Sequence, residues 1–423
     1  MAHRPRPYRA ALGRGRAARP ARRHPLTARA RALGVYVHVP FCAARCPYCD
    51  FATAPATSRL RARYLAALRA EIRREGALLG RPRARTLYVG GGTPSLLEPD
   101  EVDALADALR SAFDLRPLEA TVEANPATLD RARLGAWKRA GITRLSLGAQ
   151  SLSARGLRAL GRTHQPGDVA PAVAAARSTG LAVGIDLIFG WPGQTALDWR
   201  NDLAGALALS PDHLSCYPLE LEREREEADL NWPGGGWPVV ARWRERAAAA
   251  APGDDAVASL YEEAERVLRR AGFRHYEIAN WARPRRRSLH NLAYWRNEQW
   301  VGLGAGAHSH LGGVRSRNPA ALAAYAERVE RGEGRIEIEH AASDARAGRS
   351  DEAVDSAILA LRLDEGLALD HHAARFGPVA AARARRALQT LDGTGLVRWS
   401  GDTARLTARG RLLASEVFLR LLP

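Results

Sequence analysis

Sulfur and lysine are scarce in this chain of 423 residues, which holds four Cys, one Met and a single lysine, Lys138. Four cysteines cannot staple a secreted chain of this length, so a disulfide scaffold is excluded. No run approaches the roughly 18 consecutive apolar residues that a membrane-spanning helix needs. The N-terminus also lacks the apolar core of about 7–15 residues that marks a secretory signal. A hydrophobic content of 46% with 26% charged residues is ordinary for globular proteins, which excludes a collagen and a wholly disordered chain. The length corresponds to two or three domains, although one α/β barrel alone can take about 200–250 residues.

What the chain has in excess is positive charge, with 63 basic against 46 acidic residues and a net +17. The excess is uneven. Residues 1–33 carry ten arginines and no acid, while the other 390 residues hold 53 basic and 46 acidic side chains. Pro5, Pro7, Pro20 and Pro25 break any long helix there, and like charges repel, so residues 1–33 are expected to be a disordered basic tail. A transit peptide is the alternative, with few serines to support it. A charge carried largely by a tail weakens the reading as a nucleic-acid binder and leaves only weak contact with RNA or anionic lipid.

Beyond residue 33, short β-branched runs alternate with Ala/Leu/Arg stretches of helical period. The expected strands are Val35–Val39, Thr86–Val89, Ala120–Glu123, Arg144–Leu147, Val183–Phe189 and His213–Tyr217. Helices are expected over Arg59–Leu79, Pro99–Phe113, Leu129–Ala140, Val169–Thr179 and Ala196–Leu209. Asp168 and Thr195 sit at N-cap positions, and Gly141 and Gly180 follow helix ends. Repeated strand–helix alternation predicts parallel βα units. Six of them make a partial TIM-like barrel, an α/β fold, with functional residues at the C-terminal strand ends. The segment LQTLDGTGLVRWSGDTARLTARGRLL reads as helix, turn, hairpin and helix, a winged-helix-like pattern more often structural than DNA-reading. The expected organisation is therefore the tail 1–33, the barrel 34–225, a barrel extension or linker 226–345, and a mainly helical winged-helix-like domain 346–423.

Cys42, Cys46 and Cys49 form C-x3-C-x2-C in FCAARCPYCDF. Three thiolates on one loop suit an Fe–S cluster or Zn²⁺. Zinc would need a fourth ligand, such as His38 or His164. Cys216 stands alone in a strand and reads as a core residue.

The loop YVHVPFCAARCPYCDF, followed by GGGTPS, resembles the radical S-adenosylmethionine (SAM) superfamily. That resemblance implies a [4Fe–4S] cluster on Cys42, Cys46 and Cys49 whose open iron binds SAM, so that an electron can cleave the sulfonium. Within the superfamily, residues 34–420 look like the branch of oxygen-independent coproporphyrinogen III oxidases and HemW-type heme chaperones. Matching SAM contacts are Tyr36; Gly91, Gly92 and Thr93 in GGGTPS; Glu123 in EANP; Gln150 in GAQS; Arg162 in GRTH; and Asp186 in IDLIFGWPGQT. The acid Glu123 suits the sulfonium or amino group, Arg162 the SAM carboxylate, and Asp186 the ribose hydroxyls.

Two features separate the branches. The oxidases carry a further Cys where this chain has Phe51. The motif HNLAYW, residues 290–295, resembles one associated with heme in HemW-type chaperones. The resemblance thus implies heme contact by His290, Asn291, Tyr294 and Trp295, His290 being a possible iron ligand. Otherwise the segment is a turn with core aromatics. His308 is a further histidine of this kind, more often structural.

One departure is that LELEREREEADL and a Trp/Gly-rich insert stand where the family usually has a Gly-Thr-Pro turn. The reading implied is a cytoplasmic heme chaperone with cluster, SAM and heme, no catalytic residue assigned, and a heme-acceptor protein as partner. A flavodoxin or ferredoxin is the implied kind of electron donor. The runner-up is the oxidase.

Overall fold

The computed structural model describes residues 32–221, 231–232, 237–339 and 345–422. The chain opens with β1 (Ala32–Val39), two short strands β2 (Phe41–Cys42) and β3 (Ala54–Pro55), α1 (Ser58–Leu78), β4 (Arg83–Gly91), α2 (Pro99–Ala112) and β5 (Glu119–Ala124). It continues with α3 (Arg131–Arg139), β6 (Arg144–Gln150), α4 (Ala154–Ala159), α5 (Val169–Ser178), β7 (Ala182–Phe189), α6 (Ala196–Ala208) and β8 (His213–Pro218). Strands β1, β4, β5, β6, β7 and β8 pair in that order, all parallel. The result is an open α/β barrel of six parallel strands, as the alternation predicts.

Each barrel strand divides its residues between two faces. In β7, Val183, Ile185, Leu187 and Phe189 are buried in the main core, while Gly184, Asp186 and Ile188 line the barrel interior. The helices start where the local chemistry allows. Thr195 and Asp198 form a reciprocal capping box at α6, and Pro99 opens α2 behind a Glu98–Glu101 box.

The boundaries differ from expectation in three places. β1 begins at Ala32 and Leu33 is buried, so the last two residues of the expected tail belong to the barrel. Residues 1–31 lie outside the described residues. Asp168 does not cap α5 with its side chain; its carboxylate accepts the Gln165 N–H at 2.7 Å. The short helix α4, capped by Ser153, was not expected, because six residues span fewer than two helical turns and show no repeating apolar face.

The next elements are α7 (Trp237–Ala250), α8 (Asp254–Arg270), β9 (Arg274–Glu277), β10 (Asn280–Ala282), α9 (Leu289–Trp295), β11 (Trp300–Leu303), β12 (His308–Leu311), β13 (Val314–Arg317), α10 (Leu322–Glu330) and β14 (Ile336–Glu339). They extend the sheet at both margins. β10 joins β8 antiparallel, and β11 joins β1 parallel, giving twelve strands in all. The run from Glu222 to Leu230 lies outside the described residues.

The last unit contains α11 (Ala345–Leu361), β15 (Leu367–Ala368), α12 (Leu369–Phe376), α13 (Pro378–Gln389), β16 (Val397–Ser400), β17 (Thr403–Leu406), α14 (Ala408–Leu412) and α15 (Ala414–Leu419). Its three-stranded sheet β15–β17–β16 and its own apolar cluster make the winged-helix-like domain. Arg411 to Glu265 at 2.7 Å ties it to α8.

Candidate functional site

A cavity of about 650 Å³ opens at the C-terminal ends of the parallel strands. All three thiols of the C-x3-C-x2-C loop line it, and all three are free. The loop is tightly held. Cys49 N–H donates to Cys46 O at 3.1 Å, Thr93 Oγ1 lies 3.6 Å from Cys42 Sγ, and Arg162 Nη1 lies 3.4 Å from Cys46 Sγ. Gly161 has φ +65°, and a Cβ there would stand 2.6 Å from Pro47 Cδ, so only glycine lets this turn press on the loop.

Burial pushes the Cys42 thiol up to about 11 and the Cys49 thiol to about 12. Both therefore stay protonated at neutral pH unless a cation offsets the thiolate, which is what iron does for cysteine ligands. Among the described residues no group of His, Cys, Asp or Glu is gathered for a single metal ion. The zinc alternative loses its partners. His38 uses both ring nitrogens, on Tyr36 hydroxyl at 2.9 Å and Ala52 O at 2.8 Å, and His164 is not in the cavity wall. Three spaced thiols under an arginine fit an iron–sulfur cluster better than a single ion.

Behind the loop, polar side chains from successive strands face inward. Glu123 receives Tyr88 Oη–H at 2.7 Å and Gly91 N–H at 2.9 Å. Asp186 accepts from Ser215 Oγ at 2.6 Å and Ser146 Oγ at 3.0 Å. Burial raises both carboxyl pKa values, and each hydrogen bond opposes that rise. Arg162 Nη2 donates to Gly148 O at 2.7 Å. Gln150, at φ +64°, also lines the cavity. Thus Gly91, Gly92, Thr93, Glu123, Gln150, Arg162 and Asp186 line the same cavity as the cysteines. Tyr36 does not line it.

The glycines have a nearer reason than ligand approach. A Cβ on Gly91 would meet the His38 ring at 2.4 Å, and one on Gly92 would meet Pro40 backbone at 2.6 Å. Both fit the adjoining β1–β2 connection.

The HNLAYW segment lies at the opposite end of the barrel. It forms α9, below the N-terminal strand residues Glu119, Arg144 and His213. Glu119 Oε1 accepts Leu289 N–H at 2.9 Å and His290 N–H at 3.2 Å, and Arg144 donates to Arg286 O at 2.6 Å. His290 is buried. Its Nδ1 bonds Thr86 Oγ1 at 2.8 Å, its Nε2 bonds Tyr294 Oη at 2.9 Å, and its ring stacks on Tyr88 at 5.2 Å. Trp295 packs beside Tyr276 and Leu292 under the Arg362 guanidinium.

The expected free imidazole and flat aromatic face are therefore not presented here. Both His290 nitrogens are used, and burial lowers its pKa to about 3. Of the four, only Asn291 reaches the cavity, beside Ser288. As arranged, these residues do not fit a heme-iron ligand set.

Several cavity residues were not singled out from the sequence: Tyr88, Ser146 and Ser215. Alternation gives their signal, since Tyr88 shares a face with Gly90, and Ser215 and Tyr217 share one in β8.

The Radical SAM superfamily model matches residues 36–204, and the HemN C-terminal domain model matches residues 349–413. A Mycobacterium tuberculosis protein described as heme chaperone HemW is 38% identical over 396 residues, covering 92% of this chain and 95% of the relative. This chain belongs to the HemW family of radical SAM proteins. The Bacillus subtilis heme chaperone HemW is 32% identical, covering 90% of this chain and 97% of its own. Among solved structures, Escherichia coli coproporphyrinogen III oxidase, HemN, superposes with a TM-score of 0.76 at 24% identity, over 92% of this chain and 90% of that one. This last likeness supports the shared fold alone. No helix among the described residues is long and apolar enough to cross a membrane.

Proposed function

We propose that the protein is a cytoplasmic heme chaperone that holds a [4Fe–4S] cluster on Cys42, Cys46 and Cys49, with SAM beside it, and passes heme to an acceptor protein. The observation that carries the reading is similarity along nearly the whole chain to proteins described as heme chaperones. Reduced thiols suit a cytoplasmic setting.

When bound, the cluster supplies the electron for SAM cleavage. The chain's own part is to orient and to exclude water. Glu123 would meet a cationic SAM group, its two oxygens already held by Tyr88 and Gly91. Asp186, held between two serines, would take the ribose hydroxyls. Arg162 supplies positive charge at the cluster side.

Phe51 is 59% exposed beside the cavity, at the position where the resemblance gives the oxidases a cysteine. That favours the chaperone over coproporphyrinogen oxidation. Heme contact through His290 would require α9 to leave its place under the barrel, breaking the bonds to Thr86 and Tyr294.

Anaerobic reconstitution should give about four irons per chain, lost in Cys→Ala variants. Heme titration should shift the Soret band. Incubation with coproporphyrinogen, SAM and reductant should leave the substrate unchanged. Zinc in place of iron refutes the cluster, an unmoved Soret band refutes the heme role, and decarboxylated product establishes the oxidase.

A further inference from the structure

We propose that Arg244, carried by the inserted helix α7, is a positioning residue for the cluster loop, and that it sets the charge beside Cys49. The inference rests on the cluster reading above.

Arg244 is buried at 4% exposure. Its guanidinium donates to three different places. Nε reaches Pro47 O at 3.2 Å, Nη2 reaches Asp50 Oδ1 at 2.7 Å, and Nη1 reaches Leu221 O at 3.3 Å. Pro47 lies between Cys46 and Cys49, and Asp50 directly follows Cys49. One side chain therefore grips the backbone inside the second cysteine pair, the carboxylate after it, and the chain leaving β8.

The helix that carries Arg244 is itself anchored. Trp243 Nε1 donates to Ala159 O at 3.1 Å, and Gly193 N–H donates to Ala250 O at 3.0 Å. From the same insert, Trp232 Nε1 donates to Thr53 Oγ1 at 3.1 Å. Across the loop, Gly161 presses on Pro47 and Arg162 approaches Cys46. The cysteine loop is thus clamped from two sides, by the α4 exit and by the insert.

Two consequences follow. A loop whose backbone is fixed before metal arrives has less conformational entropy to lose when three cysteines take their ligand positions. The buried pair Arg244–Asp50 is neutral as a unit. Removing the cation leaves an uncompensated carboxylate next to Cys49, and a negative charge there opposes adding an electron to the cluster. The planar fork explains why arginine fits, since a lysine supplies the charge without three fixed directions.

The test uses the full-length chain, reconstituted anaerobically, as wild type, Arg244→Met, Arg244→Lys and Asp50→Asn. Readouts are iron and sulfide per chain, the rate of iron loss to a chelator, the electron paramagnetic resonance signal of the reduced cluster, its midpoint potential, and the melting temperature before reconstitution. Arg244→Met should lose iron about 10–100-fold faster, the usual scale for groups that orient metal ligands, and its potential should become more negative. Arg244→Lys should recover most of the potential and part of the retention. Asp50→Asn should shift the potential the other way.

Wild-type retention, signal and potential in Arg244→Met overturn the inference while leaving the cluster reading intact. So does an equal defect in Met and Lys variants that tracks only the melting temperature. A wild-type chain that takes up no cluster overturns both. If Arg244→Met does not fold, Asp50→Asn still decides, because an unchanged potential there refutes the charge argument.

Discussion

Replacing His290 with Leu should destabilise the barrel in a pH-dependent way. The imidazole joins Thr86 on β4 to Tyr294 on α9 through one nitrogen each. Leucine keeps the apolar bulk but leaves both hydroxyls without that partner. Orphaning a buried polar group costs about 1–3 kcal/mol, so the loss of both partners at pH 7.5 should cost about 2–6 kcal/mol. Burial holds the folded His290 pKa near about 3, against about 6.5 in an unfolded chain. Its folded pKa is depressed, so the unfolded state binds the extra proton. The contribution is complete above about pH 6.5 and falls by about 1.4 kcal/mol per unit as pH drops towards the folded value. The variant lacks this term. The gap between wild type and His290→Leu should therefore narrow by about 2 kcal/mol between pH 6.5 and 5. Urea titrations followed by tryptophan fluorescence at pH 7.5, 6.5 and 5 measure it. Equal midpoints at pH 7.5 would refute the two bonds, and a gap that stays constant to pH 5 would refute the buried neutral imidazole. The same variant should keep the wild-type Soret band with heme; loss of that band would place the iron on His290.

Other expectations come from neighbouring contacts. Gly92→Ala puts a methyl 2.6 Å from Pro40 backbone and should cost about 1–3 kcal/mol, with iron uptake falling as the loop shifts; unchanged melting would refute the close approach. Tyr88→Phe removes one of two donors to Glu123 and should weaken SAM binding about 2–13-fold, from a hydrogen bond worth about 0.5–1.5 kcal/mol, as read by calorimetry on the reconstituted protein. Glu119→Ala leaves Arg144 buried without its carboxylate and removes the acceptor for the first N–H groups of α9. It should cost about 3–5 kcal/mol, and a melting point within a degree or two of wild type would contradict it.

The barrel was legible because its signals are local. The β-branched runs and the Gly141 and Gly180 stops, at φ +94° and +76°, mark each βα unit without reference to the rest of the chain. The cysteine loop was legible for the same reason, its three thiols lying within eight residues. What was not legible depends on contacts between distant segments. His290 looks like any histidine near aromatics until the strand ends below the barrel are assembled around it, more than 200 residues away from Thr86 in sequence. Arg244 is one arginine in an arginine-rich chain, and nothing local distinguishes it from a solvated side chain. Its role appears only when α7 lies against the cysteine loop. The glycines of GGGTPS were legible as special, but the reason was not. The neighbours of Gly91 and Gly92 are His38 and Pro40, brought in by parallel pairing with β1.

Between β10 and β11 the chain crosses from one margin of the open barrel to the other. β10 closes the β8 margin, α9 runs beneath the strands, and β11 covers β1. This has a meaning for how the protein is made. A ribosome that has released residues only as far as β8 has delivered every cysteine and every glycine of the site, yet the nascent sheet still has two bare margins and no base. Unpaired margins invite pairing with other chains. The distance in sequence between β1 and β11 makes that closure a late event. The piece that carries the chemistry should therefore not be separable at residue 225. Expressed alone it is expected to aggregate, and the shortest soluble form should extend past Leu303.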